Sequence, residues 1–356
     1  MSNAPWFGAL VAVPFVAAAA GATDDFLQQL EARVPAGEHS IVIENLAGDA
    51  RVLPSSGSET QVTATIHVAG GNEALARQTA QGIHLESDGG RLVVRYPDDR
   101  EICALPGRSK SSTRTHTNYL GHRVYVETGT TPGKCLRVDL DVRLAADRNL
   151  TLKTVIGEIE ASGLKADLVL DTGSGDVTVA KHAGSLDIDT GSGDVTVSTA
   201  QGKVLVDTGS GDVTITDGRG RINADTGSGD VRLVRNRGDV RADTGSGDVH
   251  LDEFGEGTDV DIDTGSGDVD IDGDLSQVRR LRVDTGNGDI KVITRTVVSL
   301  DLVADSGSGR VTVDVPGARI VQTERSHAEA TISGGAGTGK LDAGSGDIEF
   351  RQSAAH

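Results

Sequence analysis

The stretch DTGSGDV, residues Asp171 to Val177, decides the fold because it does not stand alone. The same seven letters begin again at Asp189, Asp207, Asp225, Asp243 and Asp263. DTGNGDI follows at Asp284, and the looser DSGSGRV and DAGSGDI stand at Asp305 and Asp342. From Asp171 to Asp305 the intervals are 18, 18, 18, 18, 20, 21 and 21 residues. Self-similarity at a fixed period of this length marks a stacked repeat, in which no unit can bury its apolar face alone. TERSHAEATI (323–332) reads as a decayed unit in the gap of 37 residues before Asp342, and KTVIGEI at Lys153 as a degenerate early copy. About eleven units then run from 153 to 350.

Working outward from the motif, Leu186, Ile188 and Thr190 alternate with Asp187 and Asp189, and Val195 and Val197 flank Thr196. A period of two is a strand with one buried face. Gly191 and Gly193 turn the chain between the two strands, and a second turn recurs at Gly184, Gly202, Gly220 and Gly238. Two short strands and two turns in 18–21 residues predict an all-β fold, a parallel β-solenoid. Four inward aliphatics supply about 6 to 12 kcal/mol per coil. Ordering a coil's backbone costs on the order of 18 to 36 kcal/mol. Neighbouring coils must therefore supply the difference through hydrogen bonds and further burial. The interior of such a coil is narrow, which fits a chain with only 3% aromatic residues.

The chain has 356 residues, 47 of them Gly, and a net charge of -19. That balance argues against nucleic acid and anionic membrane surfaces, which are held by clustered Lys and Arg. It favours a cationic or neutral partner, or a metal ion. Residues 1–22 read as a signal peptide: the apolar run WFGALVAVPFVAAAA ends at the small-residue site Ala20-Gly21-Ala22. An uncleaved anchor is the alternative, although Pro14 and the shortness of the run disfavour a spanning helix. No other segment reads as transmembrane. The expected location is periplasmic, cell-surface or secreted. In an oxidising compartment Cys103 and Cys135 are expected to form a disulfide, with two free thiols as the alternative. Residues 23–150 read as a β-rich capping region that hides the unpaired end of the repeat. Within it, SIVIENLAGDARVL copies the coil pattern from Ser40, EALARQTAQGI reads as a short helix, and 97–135 reads as an insertion held by the cysteines. The repeat domain is 151–350 and the tail 351–356.

Asp-Thr-Gly is also the short signature of an aspartic protease. That chemistry needs two carboxylates sharing one proton in an apolar cleft, which seven evenly spaced triplets cannot all provide. The better candidates are two rows of aspartates flanking the turn: Asp171, Asp189, Asp207 and Asp225 on one side, and Asp176, Asp194, Asp212 and Asp230 on the other. Such rows repel unless turn N–H groups or bound Ca²⁺ relieve them. Arg310 breaks the second row. No catalytic residue and no other cofactor is expected. The arginines at 219, 221, 232, 235, 237 and 241 are interleaved with aspartates and read as a salt-bridged solvent face. His250 and His327 have no partner at catalytic or metal-ligand spacing.

The Gly-[Ser/Asn]-Gly-Asp-[Val/Ile] units, following an apolar leader and a degenerate first unit, resemble the bacterial DUF4097 family of adhesin-like β-strand repeat proteins. The resemblance covers 40–96 and 136–350, leaves 97–135 outside, and brings no catalytic residues with it. It implies a non-enzymatic exported β-solenoid that binds a protein or polysaccharide at the cell envelope. A calcium-binding repeat protein is one alternative. A carbohydrate-active β-helix enzyme is another, although coils this short and uniform leave no room for a cleft.

Overall fold

The computed structural model describes residues 26–34, 37–70, 72–97, 101–106 and 114–353. The expected signal peptide therefore lies outside the described residues, as do parts of the 97–135 insertion and of the tail. The protein is all-β with parallel strands, a β-solenoid-like fold, and among the described residues Glu73–Gln81 is its one helix. It divides into two compact units, 1–178 and 179–356.

In the unit 179–356 each repeat contributes one strand to each of two sheets. Leu186–Thr190, Val204–Thr208, Ile222–Thr226, Val240–Thr244, Asp259–Thr264 and Arg280–Thr285 pair in parallel, with Asp189 opposite Asp207, Asp207 opposite Asp225, and so on along the sheet. The second strands, from Val195–Gln201 to Ile290–Thr294, pair likewise. Leu186, Ile188, Val195 and Val197 are wholly buried, as the alternation requires. Size changes at the second turn are absorbed by neighbours: buried Phe254 packs where Gly257 leaves room for its ring and Gly273 for its backbone.

The end of this unit departs from sequence order. Gly337–Ala343 lies between Arg280–Thr285 and Leu300–Ser306 in one sheet. Ile348–Gln352 lies between Ile290–Thr294 and Val311–Asp314 in the other. The last repeat is therefore inserted between two earlier ones. TERSHAEATI, expected as a decayed coil, is not one. His327–Ile332 runs antiparallel to Leu300–Ser306, and Arg319–Thr323 runs antiparallel to His327–Ile332. The physical reason is the absence of glycine between Gly317 and Gly334. Without it the segment cannot make the tight turn of a coil, and it forms a hairpin over the open edge instead.

The unit 1–178 shows the same device. Ala50–Pro54 pairs in parallel with both Leu136–Leu144 and Ile159–Ser162, so an early strand sits between two later ones. Beyond Leu136–Leu144 the sheet turns antiparallel through Thr60–Val68 and Phe26–Val34. On the other layer Leu168–Ser174, Asn149–Ile156, Ser40–Glu44 and Arg91–Arg95 are parallel, and His84–Asp88 closes the edge antiparallel. Asn72 caps the helix through a bond from the Leu75 N–H to its Oδ1 at 3.1 Å. Cys103 and Cys135 form a disulfide with Cα atoms 4.5 Å apart. It joins the small sheet of Glu101–Ala104, His122–Thr128 and Arg114–Tyr119 to the start of Leu136–Leu144.

Candidate functional site: aspartate rows and a groove on the strand face

Each letter of the repeated motif has a physical task. The Thr side chain points inward and its hydroxyl donates to a turn carbonyl of the preceding coil: Thr208 to Gly193 at 3.2 Å, and Thr226 to Gly211 and Thr244 to Gly229 at 3.0 Å. The second Gly is obligatory: Gly211 has φ +150, and a Cβ there would collide with the Gly193 carbonyl. These contacts make the Asp-Thr-Gly triplet structural.

The second aspartate row is a hydrogen-bond ladder between coils. Asp194 Oδ1 accepts the N–H of Asp212, Asp212 that of Asp230, and Asp230 that of Asp248, each at 2.9 Å. The series continues through Asp268 and Asp289 to Asp347, whose Oδ1 accepts the N–H of Arg310 at 2.7 Å. Arg310 thus stands in the last coil of this sheet, where no further N–H waits for a carboxylate. The break in the row marks the end of the stack. In the unit 1–178 Asp139 accepts from Asp49, and Asp49 from Glu158, at 3.0 and 3.1 Å. Burial pushes the Asp139 carboxyl up, but the His67 hydrogen bond, the Arg137 guanidinium and the Asp49 N–H together hold it below the usual carboxylate range. Asp176 occupies the same motif position in that unit, and its carbonyl accepts the Ile159 N–H.

The first row is different. Asp207, Asp225, Asp243, Asp263 and Asp284 lie directly opposite one another on adjacent strands, about 4.8 Å apart. Asp225 is pushed above the usual carboxylate range by partial burial and by Asp243 and Asp207, against relief from Arg241. Asp263 is raised in the same way, by burial, Asp284 and Asp243, against Arg282. Cations stand along the row: Arg241 reaches Asp243 at 3.4 Å, Arg282 reaches Asp284 at 3.2 Å and Asp263 at 3.6 Å, Lys340 reaches Asp342 at 3.2 Å, and His327 reaches Asp305 at 2.5 Å. Asp189 begins the row in this unit, opposite Asp207. In the unit 1–178 Lys153 pairs with Asp171 at 2.9 Å. Among the described residues no group of three or more His, Cys, Asp or Glu is arranged to hold a metal ion.

The six arginines that sequence proximity groups together go to separate places. Arg235 pairs bidentately with Asp217 at the second turn, where Arg219 and Arg237 also bridge. Arg232 pairs with Asp252 on one sheet face. Arg221 and Arg241 stand on the other face, beside a shallow groove of about 410 Å³ floored by Leu205 and Asn223. Lys203 and Arg221 enter it from the earlier coils, and Asp239, Arg241, Asp259, Asp261 and Arg280 from the later ones. Arg221 reaches Asp239 at 3.7 Å, and Arg241 reaches Asp261 at 3.9 Å. The groove thus has Lys203 and Arg221 at its early end and interleaved aspartates and arginines at its late end, where Arg280 pairs with Asp259 at 2.8 Å, over an apolar and amide floor. Sequence reasoning missed it. The signal was present as the column Asp187, Leu205, Asn223, Arg241, Asp261, in which Leu205 and Asn223 interrupt the charges of the 179–356 unit.

The family described as Toastrack DUF4097 matches residues 39–255 and 238–351, a span that includes the 97–135 insertion. Three solved structures resemble the chain over most of its length. One is a "putative adhesin" from Parabacteroides merdae, 11% identical, covering 92% of this chain and 96% of that one with a TM-score of 0.36. Another is a "putative lipid binding protein" from Parabacteroides distasonis, 10% identical, covering 90% and 96% with a TM-score of 0.38. The third is a "putative cell adhesion protein" from Clostridium sporogenes, 11% identical, covering 92% and 100% with a TM-score of 0.22. No curated protein matches the sequence. Among the described residues no helix is long and apolar enough to cross a membrane.

Proposed function

We propose, from the premise that the chain belongs to the Toastrack DUF4097 family, that it is a non-enzymatic, adhesin-like binding protein, exported by residues 1–22, whose strand face takes a polysaccharide or protein partner at the cell envelope. The observation that supports this reading is the groove over Leu205 and Asn223. Its polar groups repeat with the coil, at about 4.8 Å, and so suit an extended partner with its own repeat of donors and acceptors. Cations at one end and interleaved aspartates and arginines at the other make the groove asymmetric along its length. The test is binding of the exported protein to envelope glycans and envelope proteins, compared with Leu205→Trp, which fills the floor, and Arg221→Ala. Binding is expected to fall about tenfold or more in both variants, a loss of about 1.4 kcal/mol. Undiminished binding in both variants, or reproducible cleavage of a glycan, overturns the reading.

Calcium is a second reading for the first aspartate row, supported by the raised Asp225 and Asp263 carboxyls. Bound Ca²⁺ stabilises the folded state by mass action, so a concentration of about 100 times Kd adds about 2.7 kcal/mol. The melting temperature is then expected to rise with calcium, to fall with chelator, and to respond less in Asp225→Asn. A calcium titration no different from magnesium sinks this second reading.

A further inference from the structure

The hairpin at the end of the 179–356 unit leaves one strand, Arg319–Thr323, at the limit of its sheet with every residue exposed. Ile320 is 44% and Val321 60% exposed, so apolar side chains accompany an unpaired backbone edge. An edge of this kind is a template for another strand.

Two hydrogen bonds fix which backbone groups point outward. Ser306 donates to the Ser326 carbonyl and Glu324 to the His327 carbonyl, both at 2.8 Å. In an antiparallel pair the bonded positions alternate, so His327, Glu329 and Thr331 bond toward the edge strand. Their partners Glu324, Gln322 and Arg319 face inward. A bulge at Val321 resets the alternation, leaving Ile320 and Thr323 with outward N–H and carbonyl groups.

We infer that this edge pairs antiparallel with the same edge of a second copy of the chain, about a two-fold axis between Val321 and Gln322. That axis sets outward Ile320 against outward Thr323 in both directions, and bulge against bulge. It also sets Arg319 opposite Glu324 twice, in the wide pairs whose side chains approach most closely. Arg319 makes no ion pair among the described residues within one chain, and Glu324 accepts only a 3.4 Å bond from Gln322. Backbone pairing and charge matching thus select the same register, and the surface is self-complementary as a two-fold interface must be.

Sedimentation equilibrium of the full chain at up to about 0.1 mM, well above a micromolar Kd, tests this. The chain is expected to dimerise, more weakly at high salt. Arg319→Glu and Glu324→Arg are each expected to weaken the dimer about tenfold, and the double variant to restore it, since reversing both charges regenerates both pairs. Ile320→Pro is expected to abolish dimerisation while leaving the circular dichroism unchanged, because the Ile320 N–H serves no bond within the chain. A chain monomeric throughout the range overturns the inference, as does a dimer indifferent to these substitutions. Failure of the double variant to restore what the single ones lose also overturns it. So does a monomer that takes up an unrelated β-strand peptide along this edge.

Discussion

Asp225 is one of the residues whose ionisation works against the fold. Its carboxyl is raised by burial, Asp243 and Asp207, so the folded state holds its proton more tightly than the unfolded chain. The destabilising contribution is present above the raised folded pKa and disappears as pH falls below the ordinary value of 3.8. Asp225→Asn is therefore expected to raise the melting temperature at pH 7 and to leave it unchanged at pH 3. Exposure and salt keep the gain to a few tenths of a kcal/mol. Thr199 illustrates a different cost. It is β-branched, exposed, and held at φ +58 in the second turn, where a left-handed backbone costs roughly 1–2 kcal/mol. Thr199→Gly is expected to stabilise by about 1 kcal/mol in thermal melts, and no change would mean that the turn does not impose this angle. The roles of Thr and Gly in the motif were legible in the sequence because alternation and period alone define an inward position and a turn. The partner of each second-row Asp was not, since its N–H donor lies on the adjacent coil, 18 residues away at Asp194 and 58 at Asp289.

The capping hairpin shows what an element adds that a residue count does not. His327–Ile332 buries Ala328, Ala330 and Ile332 against the last coil while His327 turns outward to Asp305. The Asp305 hydrogen bond holds the His327 imidazole above its ordinary value of 6.5, against slight desolvation, with Asp305, Glu329 and Glu324 adding to the effect. A raised histidine contributes stability in full below its unfolded pKa and loses it as pH rises through the folded one. The hairpin's protection in hydrogen exchange is therefore expected to weaken from pH 6 to pH 9, and His327→Gln is expected to flatten that dependence. A dependence unchanged in His327→Gln would assign it to another group. Strand content was readable here from the period-two pattern of HAEATI. Antiparallel direction was not, because one alternating segment fits a parallel or an antiparallel neighbour equally well.

Across the whole molecule the repeat predicts how length is tolerated. Within the 179–356 unit each coil buries its aliphatics only against the coils beside it. Deleting one whole period, 189–206, should leave matching ladders on both sides and a melting temperature lower by only a few degrees. Deleting 189–197 sets second-turn residues where the first turn belongs and should unfold the unit. Equal damage from the two deletions, by circular dichroism, would mean that the period is not a coil. The fold class was legible from this repetition, yet repetition also concealed the stacking order. Near-identical units offer interchangeable edges, so nothing local says that 337–352 belongs before 300–314. That placement ties folding to synthesis. Residues 337–352 leave the ribosome after the strands on either side of them. Leu300–Ser306 and Val311–Asp314 therefore cannot join the stack of coils until residues 337–352 have been made, although Leu300–Ser306 can already pair with His327–Ile332. The repeats up to Thr294 are free to assemble while the chain is growing. The coil of 337–352 then closes the gap as a keystone closes an arch, which makes those residues the condition for finishing this end of the 179–356 unit.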